Sequence, residues 1–212
     1  MKVSIDCWGT LIKRSPTFTK KKVELVKKYL PYIDNDKHIL KCFSDTKNTF
    51  NDIIENSGGY QPCISSIFTY LFSKLQTGYS KVSFIKEFID EYQKLTITDG
   101  PVLFSEETTL YLEKFSKEAD LVISSNTMLI DGNSLLDCLS RLGVAKFFKD
   151  AAFSDQMQVA KPHWLMYMGS NYHIGDNTLT DGKGAIEAGS KSIIINSNDK
   201  TIKDAYNLII QR

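Results

Sequence analysis

Apolar positions recur at helical spacing through the first hundred residues, then give way to short apolar runs separated by helix-length stretches. Residues 2–5 read as a short strand that ends at the carboxylate of Asp6. The next ninety or so residues show no convincing strand. Ser15-Pro16 has the form of a helix start, a hydroxyl cap followed by proline at the first helical position. Val23, Val26 and Leu30 then keep helical spacing until Pro31 stops the run. Asp36 opens a second helix with Ile39, Phe43, Phe50 and Ile54 on one face, ended by Gly58-Gly59. Ile64, Ile67, Phe68, Leu71, Phe72 and Leu75 form a third stripe closed by Gly78, and Ser80 caps a fourth carried by Ile85, Phe88, Ile89 and Tyr92. Four such helices with short connections bury their stripes only against one another, which predicts a four-helix bundle over residues 13–99.

From about residue 101 the pattern alternates. Ser105 caps a helix through Leu112 and Phe115, Leu121-Val122-Ile123 follows as a strand, and Leu135, Leu139 and Leu142 lie on a helix closed by Gly143. Apolar segments at 150–153, 172–175 and 192–196 alternate with helical stretches at 181–189 and 199–210. Alternation of this kind predicts an α/β fold, a Rossmann-like parallel sheet covered by helices on both faces. The strand at 2–5 has no partner in the bundle and belongs to this sheet. Residues 1–12 and 100–212 then form the core, with the bundle inserted after the first strand.

Composition narrows the function classes. Twenty-six basic against 25 acidic side chains leave a net charge of +1, so no general electrostatic case exists for nucleic acid or an anionic membrane. No apolar run approaches the ~20 residues of a membrane span. Residues 1–12 do not read as a secretory signal. The four cysteines are scattered without C-x-x-C pairs, which fits reduced thiols in a cytoplasm.

Ligands of open parallel sheets bind at the carboxyl ends of strands, and four polar stations fall there. They are Asp6-Cys7-Trp8-Gly9-Thr10-Leu11, Ser124-Ser125-Asn126-Thr127, Lys161-Pro162, and Gly175-Asp176 followed by Asp181. Taken together and in this order they resemble the four motifs of the haloacid dehalogenase (HAD) superfamily, in which a helical cap between the first and second motifs is a standard layout. The resemblance implies Asp6 as a nucleophile forming an aspartyl phosphate, with Ser125 and Lys161 binding the phosphoryl group. It implies Mg²⁺ held by Asp6, the backbone carbonyl of Trp8, Asp176 and Asp181. Backbone N–H groups near Gly9, Thr10 and Asn126 complete an anion cradle, and Arg14, at the exit from the first motif, meets the substrate when the cap closes. The implied substrate is a small phosphorylated metabolite.

Two departures stand out. HAD phosphatases usually carry a second aspartate two residues after the nucleophile, as general acid and base. Trp8 stands there, and indole does neither job. A 2-haloacid dehalogenase-like hydrolase, which needs no acid at that position, and a non-catalytic phospho-ligand binding protein are therefore the rival readings. In addition, only Pro162 through Gly175 separate Lys161 from Asp176, so the helix usual between those motifs is very short or absent. Among other polar residues, His173 reads as structural within its strand, Cys7 as a core residue, and Lys20-Lys21-Lys22 as a solvated helix face.

Overall fold

A computed structural model describes residues 1–75, 84–195 and 200–211. Gly78 and Ser80, the expected boundaries of the third and fourth helices, lie outside the described residues, as do residue 196 of the last expected strand and residue 199 of the last expected helix.

The central sheet has five parallel strands, β1 (Lys2–Ile5), β4 (Asp120–Ser125), β5 (Asp150–Phe153), β6 (Tyr172–Gly175) and β7 (Lys191–Ile194), in the order β5-β4-β1-β6-β7. β1 is central and covered on both faces: Val3 and Ile5 on one face and Ser4 on the other are all fully buried. It pairs with β4 on one side, Ile5 opposite Ile123, and with β6 on the other, Ile5 opposite Ile174. The chain builds outward from β1 through β4 to β5, then returns to add β6 and β7 on the opposite side. The carboxyl ends of β1, β4 and β6 therefore meet where the direction of winding reverses, the ligand-binding crevice of such sheets.

Helices α5 (Thr108–Glu118), α6 (Gly132–Arg141) and α9 (Ile202–Ile210) contribute Leu112, Phe115, Leu135, Leu139, Ile202 and Ile209 to the core over the sheet. The short helices α7 (Ser154–Met157) and α8 (Gly184–Glu187) flank the loops around β6. Between β5 and β6 stands only one further single-turn helix, Trp164–Tyr167, the shortened connection expected from the sequence.

Helices α1 (Phe18–Tyr29), α2 (Asp36–Asn56), α3 (Ile64–Leu75) and α4 (Ile85–Asp99) form a block with its own core of Val26, Phe43, Phe68, Phe72, Phe88 and Tyr92. Several of its aromatic rings meet edge to face, Phe72 and Phe88 with centroids 4.8 Å apart. Ser15 Oγ accepts from the N–H of Phe18, the first residue of α1, at 3.2 Å.

One expectation fails. The stretch after Asp6 does contain a strand, β2 (Ile12–Arg14), which pairs antiparallel with β3 (Pro101–Leu103) and forms the two-stranded ribbon through which the chain enters and leaves the helical block. Three residues, two of them exposed and basic, carry no alternating pattern, and the pairing partner lies at the far end of the insertion. Among the described residues no helix is long and apolar enough to cross a membrane.

Candidate active site

Asp6 continues β1 by one residue. Its N–H donates to Ile174 O at 2.8 Å, so the sheet ladder fixes its backbone and aims its carboxylate at the crevice. The chain then turns through Gly9, at φ +80°, where a methyl group would overlap the Asp176 carboxylate. Only glycine permits both that conformation and that approach. Thr10 Oγ1 donates to Asp6 Oδ2 at 3.3 Å.

Lys161 comes from the loop after α7 and is buried. Asn126, one residue past β4, holds it by a reciprocal pair: Lys161 N–H donates to Asn126 Oδ1 at 2.7 Å, and Asn126 Nδ2 donates to Lys161 O at 3.0 Å. The Lys161 ammonium uses all three protons, on Asp6 Oδ1 at 2.7 Å, Asp181 Oδ1 at 2.6 Å and Ser124 O at 3.0 Å. Asp181 is braced further by His173, whose Nε2 lies 2.9 Å from Oδ1, and by the Asn177 N–H, 3.0 Å from Oδ2. The other ring nitrogen of His173 sits 2.8 Å from Ser4 Oγ. Burial pushes the His173 pKa down, the bond to Asp181 offsetting only part of this, so the ring is neutral and donates from Nε2. His173 thus works as a brace within β6.

The electrostatics follow from burial. Asp6 is pushed up to about 7 by desolvation, with the Lys161 ammonium offsetting part of the effect and Asp181 adding to it. Burial also works against charge on Asp181, but Lys161 and His173 outweigh it and hold that carboxyl below the usual range. Burial opposes the Lys161 charge as well, yet Asp181 and Asp6 outweigh it and hold the ammonium above its usual range. Asp176, less buried, is raised by desolvation and then by Asp181. Oxygens of Asp6, Asp176 and Asp181 lie within 4.8 Å of one another. Three carboxylates against one ammonium leave an excess of negative charge in a partly dry site.

Ser125 is fully buried at the end of β4, and its Oγ has no hydrogen-bond partner in good geometry among the described residues. An orphaned hydroxyl in a buried strand end is a donor in want of an acceptor. Cys7, beside Asp6, is a fully buried core residue whose thiol burial pushes up, so it is no nucleophile. A cavity of about 180 Å³ opens over Asp6, Lys161, Asp176 and Asp181, with Trp8 and Asn126 on its wall.

No family model matches the chain, and no curated protein is similar to it at a significant level. Solved structures are. YfnB of Bacillus subtilis, described as a HAD hydrolase and bound to magnesium, superposes with a TM-score of 0.71 at 15% identity, over 99% of this chain and 98% of the other. A HAD phosphatase from Thermococcus onnurineus gives 0.65 at 15% identity, over 99% and 98%. The L-2-haloacid dehalogenase of Xanthobacter autotrophicus, with chloropropionic acid covalently bound, gives 0.62 at 14% identity, over 99% and 82%. The chain has the HAD fold. Both phosphatases and dehalogenases share it, so the likeness does not choose between them.

Within this HAD fold, Asp6, Gly9, Thr10, Asn126, Lys161, Asp176 and Asp181 come together, with Trp8 on the cavity wall, while Ser125 stays fully buried at the end of β4 and is not part of the cavity lining. Arg14 does not reach the Asp6 cavity. It lines two adjoining ones, of about 190 and 340 Å³. Sequence reading missed Lys47, Asn51 and Glu55, which line the Asp6 cavity from α2. Their spacing of four puts them on one helix face, a signal that was open to reading but carried no motif.

Proposed function

We propose that the chain is a magnesium-dependent phosphohydrolase that cleaves a small phosphorylated metabolite through an aspartyl phosphate on Asp6. The observation that carries the proposal is the convergence of Asp6, Asp176 and Asp181 around Lys161. An all-oxygen, carboxylate-rich donor set suits a hard divalent cation, and the unbalanced charge among these groups calls for one. Asp6, Asp176, Asp181 and the Trp8 carbonyl are the residues to hold it. When bound, the ion supplies positive charge that screens the phosphoryl oxygens from the carboxylates.

The chain's own groups do the rest. Lys161 occupies Asp6 Oδ1, and Oδ2, which accepts only the longer 3.3 Å bond from Thr10 Oγ1, is the attacking oxygen. Oδ2 forms a bond to phosphorus as the bond from phosphorus to the leaving oxygen breaks. Ser125 donates its free hydroxyl to a phosphoryl oxygen; the expected help from the Gly9 and Thr10 N–H groups falls away, because the turn directs them to Ile12 O at 2.9 Å and Cys7 O at 3.4 Å. Water then attacks the same phosphorus, releasing phosphate and regenerating Asp6. The helical block over the crevice acts as a cap that excludes bulk water. Trp8 provides no proton for the leaving group, so the substrate must leave well by itself or bring its own acid. Losing a general acid typically slows such a step by ~10²–10⁴.

Trp8 is also what favours a second reading, displacement of halide from a 2-haloacid, where the leaving group needs no proton. A panel of aryl, acyl and alkyl phosphates and 2-haloacids, each with Mg²⁺ and with EDTA, separates the two. Phosphate release that needs Mg²⁺, is fastest for aryl and acyl esters and vanishes in Asp6→Asn supports the phosphatase. Halide release in EDTA establishes the second reading, and turnover of neither class leaves a phospho-ligand binding protein.

A further inference from the structure

Helix α1 carries a run of lysines, and nearly all of them are paired. Lys20 meets Glu24, Lys21 meets Asp99, Lys27 meets Asp36 and Lys28 meets Glu91. Lys22 is different. The sequence reading placed it on a solvated face, but the helix turns it inward, and it is only 3% exposed. Its ammonium lies 4.2 Å from the centroid of the Phe43 ring and has no carboxylate or hydrogen-bond partner among the described residues. A buried lysine without a counter-charge is uncommon, because desolvation penalises the charged form. Here burial, and then the nearby Arg14 guanidinium, draw its pKa down to about 8.

The surroundings explain what Lys22 is for. It lines a cavity of about 340 Å³ with Arg14, Lys47, Thr19, Ser44 and Asn48. Three cations and three neutral hydrogen-bonding side chains face this space, and no carboxylate does among the described residues. Arg14 and Lys47 also line the middle cavity of about 190 Å³, whose wall is largely apolar, with Trp8, Phe18 and Tyr92. Lys47 and Trp8 continue into the cavity over Asp6. The three cavities therefore adjoin through shared walls, in order from the carboxylate-rich end, past an apolar waist, to a cationic end.

We propose that Arg14, Lys22 and Lys47 form a second anion-binding station, which selects phosphorylated substrates carrying another anionic group, a carboxylate or a second phosphate, separated from the reacting phosphoryl by an apolar segment. The proposal rests on the phosphohydrolase reading for which end of the ligand reacts, but the anion station itself does not depend on turnover. Arginine offers paired N–H donors that match a carboxylate or phosphate edge, and the two lysines supply compact charge.

The test is calorimetric titration, in Mg²⁺ buffer, of the intact protein with 3-phosphonopropionate, 1,3-propanediphosphonate and propylphosphonate, three inert compounds that share one phosphonate end. The doubly headed compounds are expected to bind about tenfold or more tightly than propylphosphonate, the size of effect for a hydrogen-bonded charge. Which of the two binds better identifies the second group as carboxylate or phosphate. In Lys22→Met the preference should shrink towards unity while the affinity for propylphosphonate stays. Arg14→Gln, at an exposed strand position, gives the same reading if Lys22→Met fails to fold. Equal affinities in the wild type, including no binding of any of the three, overturn the proposal, as does a preference that survives both substitutions. A preference without phosphate release from any ester upholds the station and removes only the phosphohydrolase reading.

Discussion

The Ser125 hydroxyl and the Lys161 ammonium are both fully enclosed, yet they stand in opposite energetic positions. Ser125 Oγ bonds to nothing in good geometry among the described residues, so Ser125→Ala removes no native hydrogen bond there. It should change stability by less than about 0.5 kcal/mol. It should nevertheless lower kcat/KM for phosphate release by about tenfold or more, since the donor matters only when a phosphoryl oxygen is present. Thermal melts beside initial rates check this, and a large loss of stability with unchanged rates would assign the hydroxyl a structural role instead. Lys161 satisfies three acceptors at once. Lys161→Met leaves Asp6 and Asp181 enclosed without their cation and should destabilise the protein by about 3–5 kcal/mol, measured by urea unfolding at neutral pH, as well as abolish turnover. At this scale the sequence was informative where polar groups follow strand ends, as at Asp6 and Asp176, whose carboxylates lie close together. Lys22 was not legible. A lysine in a basic run reads as solvated, and only the packing of α1 against Phe43 shows that its side chain turns inward.

Elements position these groups with unequal precision. β1, β4 and β6 deliver Asp6, Ser125 and Asp176 from one edge because parallel pairing fixes their register, Ile5 against Ile123 and Ile174. α2 presents Lys47, Asn51 and Glu55 to the crevice from its polar face, while its apolar face joins the core of the helical block. That core depends on Phe88, which is fully buried and meets Tyr29, Phe68 and Phe72 edge to face. Phe88→Ala should cost about 3–5 kcal/mol in unfolding free energy. By loosening the helical block that carries α2 it should raise KM more than it lowers kcat, because the reacting groups stand on the sheet. Chemical denaturation and steady-state kinetics on an aryl phosphate test this, and a fall confined to kcat would place part of the reacting machinery on the helical block. The helical stripes were legible because burial repeats every three to four residues. The β2–β3 ribbon was not, because three-residue strands carry too little pattern to be seen.

For the whole molecule, the site is a source of instability held in place by the fold. Asp6 has its pKa raised from 3.8 to about 7. Between those values the folded protein keeps a proton that the unfolded chain has released, so ionisation of Asp6 opposes folding and its contribution to stability falls as pH rises through that window. Asp6→Asn removes this titration. In EDTA the variant should melt a few degrees above the wild type at pH 7.5, with the difference closing towards about pH 4. Added Mg²⁺ should narrow the gap at pH 7.5 by stabilising the wild type more than the variant. Melting curves across pH with and without Mg²⁺ test both statements, and a variant less stable than the wild type in EDTA would show that the Lys161 bond outweighs the burial of charge on Asp6.

The order of the sheet strands and of the longer helices, the inward stripes and the four polar stations follow from the sequence alone, since each depends on residues close together in the chain or on the simple period of burial. The convergence of Asp6, Lys161, Asp176 and Asp181 on one crevice, the brace from His173 and the cationic cavity required the tertiary structure. They bring together side chains from β1, β6, the loops of the sheet and the inserted helices. The distances and desolvation that set their charges arise only when those distant segments pack.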